Sequence, residues 1–105
     1  MRNSTLKSLI ETYPGIITKA MWETPEGKIW INKMTKKHIE NTVNMLKDKS
    51  SFSLTFLEKK AEARLRLYGE DDQFYKNYME AIMLIRDKIE DFEKHLDEGD
   101  YEKFY

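Results

Sequence analysis

The sequence predicts an α+β fold with an N-terminal helix, one β-hairpin and three further helices, the last two forming a long antiparallel pair. Apolar residues recur at helical spacing in four segments, one short stretch alternates apolar and polar residues around a proline–glycine turn, and proline or glycine falls at the boundaries. A chain of 105 residues has room for one hydrophobic core. We therefore assign residues 1–105 to a single domain, comprising a helix and hairpin (1–33), a helical part (34–98) and a short aromatic tail (99–105).

The first helix is predicted over residues 3–13. Asn3 or Ser4 can cap its N-terminus with a side-chain oxygen. Its apolar face follows the i, i+3, i+4, i+7 pattern and consists of Leu6, Leu9, Ile10 and Tyr13. Pro14 and Gly15 end the helix, because proline cannot continue the hydrogen-bond ladder and glycine permits a reversal of the chain.

A β-hairpin follows, with strands over residues 16–23 and 28–32 joined by a type I turn over 24–27, which has proline at its second position and glycine at its fourth. Pairing across this turn places Trp22 and Trp30 on opposite faces of the ribbon. One indole can then join the core, whereas the other needs a second chain or a ligand, unless the first helix shields it. Two strands alone are marginal in water, so the ribbon needs a helix on one face or a partner chain at its edge. We therefore expect a homo-oligomer.

The second helix begins at Thr35, whose hydroxyl can accept a hydrogen bond from the His38 N–H. It ends near residues 47–49, where lysines suit the negative end of the helix dipole. Its buried stripe consists of Ile39, Val43 and Leu46. The third helix is predicted over residues 53–68 and is followed by Gly69 as a C-terminal glycine.

The third and fourth helices are joined by a short loop, which predicts that they pack as an antiparallel pair. The inner face of the third helix is predicted to consist of Leu54, Leu57, Ala61, Leu65 and Tyr68. The fourth helix, which Gly99 ends, carries a heptad-like seam of Tyr75, Tyr78, Ile82, Ile85, Ile89, Phe92 and Leu96.

Composition excludes several classes of function. The chain has no cysteine, so disulfide frameworks, thiolate catalysis and cysteine-based zinc sites are excluded. Its two histidines, His38 and His95, lie on different predicted helices, and no nucleophile elbow, phosphate-binding loop or zinc-protease motif occurs. We therefore expect no enzymatic activity, no metal and no cofactor. No apolar run approaches the roughly 18 residues of a membrane span and the N-terminus lacks a secretory signal, so we expect no membrane partner and a cytoplasmic location.

The net charge of −1 divides unevenly along the chain. Residues 1–52 carry nine Lys/Arg and five Asp/Glu, which gives +4, and residues 53–105 carry nine and fourteen, which gives −5. Such a division is typical either of a long solvated acidic helix or of a surface that steers a charged partner. The pI of 6.1 argues against broad binding of nucleic-acid phosphates, since such domains usually have a pI above about 9.

Polar groups converge where the hairpin leads into the second helix. Free N–H groups at a helix N-terminus attract anions, lysines add to that field, and an indole can stack on a base. We hypothesise a phosphate or nucleotide site here, to which one or both arginines of the third helix contribute through a bidentate guanidinium. The candidate ligand-binding residues are Trp30, Lys33, Thr35, Lys36, His38, Asn41, Arg64 and Arg66. The alternatives are an ordinary capped helix with solvated lysines, and arginines that pair with the acidic fourth helix.

A candidate partner interface follows from aromatic residues that the core does not require. Its members are Trp22, Tyr101, Phe104 and Tyr105. In the oligomer hypothesis, this aromatic surface and the hairpin edge build a dimer.

Residues 22–47 resemble a pattern found in small phage and prophage proteins of Gram-positive hosts. The elements that carry the resemblance are an aromatic strand, the turn glycine, two alternating isoleucines and a helix start: Gly27, Ile29, Ile31, Met34, Thr35, His38, Ile39, Asn41, Met45 and Leu46. Most such proteins are uncharacterised, and those with assigned roles tend to counter host immunity. The hairpin followed by helices is also similar in architecture to the sponge proteins that sequester Thoeris cyclic-nucleotide signals.

The resemblance implies a phage-type accessory protein that counters host immunity in the host cytoplasm by stoichiometric binding. Its target would be a component of host defence, such as a cyclic-nucleotide or ADP-ribose-type signal. One alternative is a protein inhibitor of a host nuclease whose acidic residues imitate DNA phosphates: Glu90, Asp91, Glu93, Asp97, Glu98 and Asp100. Others are a small nucleic-acid-binding regulator that uses the basic half and a purely structural oligomer.

Overall fold

The computed structural model describes residues 3–103 and confirms the predicted α+β class. Its main elements are α1 (Ser4–Thr12), β1 (Met21–Thr24), β2 (Gly27–Trp30), α2 (Lys36–Asn44), α3 (Leu54–Tyr68) and α4 (Gln73–Glu98). The long helix α4 is central, because α1, α2 and α3 all pack against it. The described residues form an elongated body of 50 × 23 × 19 Å.

Helix α1 begins at its predicted cap, Asn3, whose side chain also donates a hydrogen bond to α4. The Leu6 N–H donates to the Asn3 Oδ1 over 2.9 Å, and the Asn3 Nδ2 donates to the backbone oxygen of Asn77 over 3.1 Å. The inward residue Leu9 is fully buried. Within the described residues, α1 therefore begins at the level of Asn77, one turn after the start of α4.

The hairpin has the predicted register, with Trp22 opposite Ile29, but its strands are shorter than predicted. Residues 14–17 form a 3-10 turn instead of the beginning of a strand, and residues 31–33 form another after β2. Before β1, Ala20 has a φ of 59°. Its N–H donates to the Asp91 Oδ2 of α4 over 2.7 Å. A contact across the fold therefore bends this segment, which β-propensity alone predicted to be extended.

Gly15 is required where the 3-10 turn crosses the hairpin. A Cβ atom at this position would lie 2.8 Å from the Glu23 backbone nitrogen and 3.0 Å from Cε3 of Trp22. Its φ lies outside the left-handed range, so an alanine is excluded by space and not by backbone conformation. We expect G15A to lower the free energy of unfolding by about 2 kcal/mol in urea denaturation. Unchanged stability would mean that the turn can move away from β1.

Helix α2 starts as predicted, since the His38 N–H donates to the Thr35 Oγ1 over 3.2 Å. The predicted stripe of Ile39, Val43 and Leu46 is buried. After Asn44 the helix widens into a π-helical segment, Met45–Lys49, which ends near the predicted position.

Helices α3 and α4 form the predicted antiparallel pair. Glu58 near the start of α3 accepts a hydrogen bond from Arg86 in the second half of α4, and Arg64 near the end of α3 bonds to Asp72 at the start of α4. The predicted seam of α4 is buried at Ile82, Ile85, Ile89 and Phe92.

The predicted inner face of α3 is correct only in part. Leu57 and Ala61 are buried, but Leu65 and Tyr68 are exposed. Among the described residues, α1 begins beside Asn77 and does not extend over this end of the pair. The described part of the chain contains no helix long and apolar enough to span a bilayer.

Candidate functional site

The two indoles diverge as the hairpin register predicts. Trp22 is 6% exposed and Trp30 is 55% exposed. The Trp22 ring stacks on Tyr13 at 6.1 Å between centroids and meets the edge of Phe92 at 5.3 Å. Trp22 is therefore a core residue, and its assignment to a partner interface is wrong because the helices enclose it.

Trp30 is followed by a series of exposed polar side chains. The Trp30 surface, as we call it, consists of Trp30, Lys33, Lys36, His38 and Asn41, all of which are exposed. The half-buried Thr35 lies among them as the cap of α2. The first N–H groups of a helix have no acceptor within it, and the positive end of the helix dipole favours an anion beside the start of α2.

The C-terminal tail runs beside the start of α2. The Glu102 N–H donates to the Met34 backbone oxygen over 2.8 Å, and Glu102 forms a parallel bridge with Thr35. Tyr101 is half-buried and packs against the core, which limits its part in a partner interface. The other two residues of that interface, Phe104 and Tyr105, lie outside the described residues.

Arg64 and Arg66 do not belong to the Trp30 surface. Arg64 donates from Nε and Nη2 to the Asp72 carboxylate over 2.9 and 2.8 Å, at the beginning of α4. Trp30 pairs with Met21, and the neighbouring Ala20 bonds to Asp91, which lies 19 residues after Asp72, or about 28 Å along the helix. Arg66 pairs with Glu62 on its own helix at 2.8 Å. The prediction that these arginines share one ligand site with Trp30 is therefore wrong.

The Arg64–Asp72 pair fixes the turn between α3 and α4. Its hydrogen bonds lower the pKa of the Asp72 carboxyl and raise that of the Arg64 guanidinium. The same carboxylate caps α4, since the Tyr75 N–H donates to Asp72 Oδ2 over 2.9 Å. This bidentate pair confirms the alternative of an arginine that pairs with the fourth helix.

A buried lysine lies in the middle of α4, where the sequence showed no candidate site. Lys88 is 2% exposed, and its Nζ donates to the backbone oxygens of Thr18, over 2.8 Å, and Met21. Asp91 Oδ2 lies 3.4 Å from the same nitrogen. Burial lowers the pKa of Lys88, and the Asp91 charge opposes that shift. A lysine inside the apolar seam between Ile85 and Phe92 is the signal in the sequence that could have identified it.

Lys88 underlies an open cleft of about 450 Å³ between the first 3-10 turn and α4. The cleft has apolar walls and a charged rim, formed by Ile16, Ile17, Leu84, Lys19, Asp87, Glu90 and Lys94. Lys88 itself is not available there as a nucleophile, because its ammonium group donates to backbone oxygens and its side chain is almost fully enclosed. The hydrogen bonds of Lys88 hold residues 18–21, and therefore the start of the hairpin, against α4.

The acidic residues proposed to imitate DNA are partly engaged within the chain. Asp91 bonds to Ala20 and Lys88, Glu93 pairs with Lys47 at 3.4 Å, and Asp100 lies 3.5 Å from the ring of His95. Lys88 and Lys47 therefore offset part of the negative charge of Asp91 and Glu93.

Among the described residues, no group of three or more acidic or histidine side chains is placed to hold a metal ion. Trp30, Lys33, Lys36, His38 and Asn41 are exposed, so this stretch of the chain offers an aromatic ring and positive charge to solvent. Comparison of the chain with protein-family models, curated proteins and solved structures gave no match.

Proposed function

We propose that the chain acts by stoichiometric binding of a nucleotide-type ligand, an anion that carries an aromatic base, at the Trp30 surface. The observation that carries this proposal is the exposure of Trp30. An indole is a large apolar group, and one left on a solvated ribbon face beside charged residues is typical of a contact surface.

Each part of the surface suits one part of such a ligand. The Trp30 ring offers a face on which a base can stack, an interaction worth about 1–3 kcal/mol per base. The N-terminus of α2 and the ammonium groups of Lys33 and Lys36 attract phosphate. The exposed amide of Asn41 and the ring of His38 supply further hydrogen-bonding groups.

The biological setting we propose is that of a phage-type accessory protein in the host cytoplasm, which counters host immunity by sequestering a cyclic-nucleotide or ADP-ribose-type signal. The resemblance of residues 22–47 to phage proteins supports this setting.

The test is a thermal-shift screen of the purified chain against cyclic dinucleotides, cyclic oligonucleotides and ADP-ribose derivatives. We expect at least one compound to raise the melting temperature. A ligand present at about 100 times its Kd adds about 2.7 kcal/mol to the free energy of unfolding. Calorimetry should then give a fixed molar ratio, and chromatography should recover the compound unchanged. A screen with no shift, or recovery of a converted compound, would contradict the proposal.

The binding variants have matched controls at the other end of the chain. We expect W30A to weaken binding of the compound by roughly tenfold or more, since loss of the stack removes about 1–3 kcal/mol. F74A removes an aromatic ring of similar exposure from the opposite end and should leave binding unchanged. Likewise, K33E/K36E should abolish binding, while K59E/K60E on α3 should preserve it. Equal effects of the two members of either pair would place the site elsewhere.

A further inference from the structure

The exposed side of α3 carries a second row of residues at helical spacing, three apolar and one lysine, separate from the face that packs on α4. Phe56, Lys60, Ala63 and Leu67 follow one another at spacings of 4, 3 and 4 and are all exposed. They share one side of the helix, as the Lys60 Nζ shows by lying 5.5 Å from the Phe56 ring centroid. Spacings of 3 and 4 are those of a coiled-coil seam. We call these four residues the outer seam.

The outer seam continues into an aromatic cluster at the turn between α3 and α4. Tyr68 and Phe74 are exposed there, and the Arg64 guanidinium carbon lies 4.0 and 4.7 Å from their ring centroids. Asp72 holds Arg64 in this position through two hydrogen bonds. Exposed aromatic rings and an arginine in a fixed geometry are the residues that contribute most to protein interfaces.

Charges of opposite sign lie at the two ends of the outer seam. Lys59 and Lys60 lie toward its start, and Glu70 and Asp71 lie just beyond its end. All four are exposed. A seam that is basic at one end and acidic at the other is complementary to a copy of itself in the reverse direction.

We propose that a second copy of this chain packs antiparallel on the outer seam, about a two-fold axis near residue 65. In this register, Leu67 of each copy packs against Ala63 of the other, and Lys60 faces Glu70 of the other. An antiparallel coiled coil alternates its core positions in the same way. The arginines near the axis do not oppose the pairing, because Arg64 and Arg66 are each neutralised by an acid of their own chain.

This dimer differs from the one expected at the hairpin edge. The hairpin packs Trp22 into the core of its own chain, which supplies the helix support that two strands need. The outer seam extends toward the opposite end of α4 from the Trp30 surface, so the dimer does not rest on the proposed function and leaves that surface open.

The first test is the mass of the full chain in solution, measured by sedimentation equilibrium over a wide range of concentrations. We expect a dimer whose dissociation constant L67E raises roughly a hundredfold, since the substitution places two unpaired carboxylates in the seam. M83E is the matched control: Met83 is 59% exposed and lies on α4 outside the seam, against 71% for Leu67. Circular dichroism checks that both variants remain folded. A strictly monomeric chain, or a dimer that L67E leaves intact, would overturn the proposal.

Charge reversal tests the direction of pairing. K59E/K60E and E70K/D71K should each be monomeric, because every charged contact then joins like charges. Their mixture should form a heterodimer, since both contacts are again between opposite charges, and the fourfold variant K59E/K60E/E70K/D71K should dimerise by itself. If the mixture remains monomeric, or either double variant dimerises as well as the original chain, the antiparallel register is wrong.

Discussion

Replacing Trp22 by alanine should lower the free energy of unfolding by about 4 kcal/mol, whereas replacing Trp30 should lower it by less than about 1 kcal/mol. The two residues have the same side chain and lie on the same two-stranded ribbon. Trp22, however, is enclosed between Tyr13 and Phe92, so its removal leaves a cavity that rigid helices cannot fill. Trp30 loses little, because over half of its surface is already in water. Urea denaturation of W22A and W30A measures both effects.

Fluorescence provides an independent check on this pair. Each single-tryptophan variant, W22F or W30F, reports on the indole that remains. Acrylamide should quench W22F, which retains Trp30, several times more strongly than W30F, which retains Trp22. Phenylalanine preserves most of the packing, so this measurement can be made even if the W22A variant does not fold. Equal quenching would mean that the hairpin does not present its two faces as the structure shows.

Lys88→Met is expected to produce the second largest loss, about 3 kcal/mol of unfolding free energy. Methionine fills much of the same volume but cannot donate a hydrogen bond. The backbone oxygens of Thr18 and Met21 would lose their partner, and the Asp91 carboxylate would lose a nearby cation. K94M is the control, because Lys94 is an exposed lysine of the same helix, and it should change stability by less than about 0.5 kcal/mol.

The same lysine should make stability depend on pH at alkaline values. Burial lowers the pKa of Lys88 below its ordinary value of 10.5. Between the lowered pKa and 10.5, the unfolded chain binds more protons at this group than the folded chain does, so the contribution of Lys88 to stability rises as the pH rises. The difference in stability between the original chain and K88M should therefore increase toward pH 10.5. A difference that shrinks over this range would show that the folded state favours the charged amine.

Features that depend on neighbours along the chain were predictable from the sequence. The Asn3 and Thr35 caps, the hairpin register and the end of α4 at Gly99 all follow from groups a few residues apart, whose local geometry is the same in any protein. The divergence of Trp22 and Trp30 belongs with them, because side chains alternate along a strand regardless of what covers each face.

The sequence could predict only those parts of the candidate site whose residues lie close together along the chain. The Trp30 surface lies within a dozen residues of chain, so its members could be grouped from the sequence. Arg64 and Arg66 could not be placed, because helical spacing gives the side of a helix a residue occupies and not which end of the fold it reaches. The structure puts them at the far end of α4, where Asp72 and Glu62 neutralise them.

By itself, the sequence determined the element order, the helix caps, the turn and the faces of the ribbon, because these depend on short-range hydrogen bonds and on the periodicity of apolar residues. Only the tertiary structure decided that Ala20 adopts a positive φ, that Lys88 is buried and that the end of α3 remains exposed. Each of these outcomes depends on contacts between α4 and residues far from it along the chain. Asp91 accepts a hydrogen bond from Ala20, Lys88 donates to Thr18, and α1 begins beside Asn77. The balance between desolvation and pairing at such contacts is set by three-dimensional proximity, which local patterns do not contain.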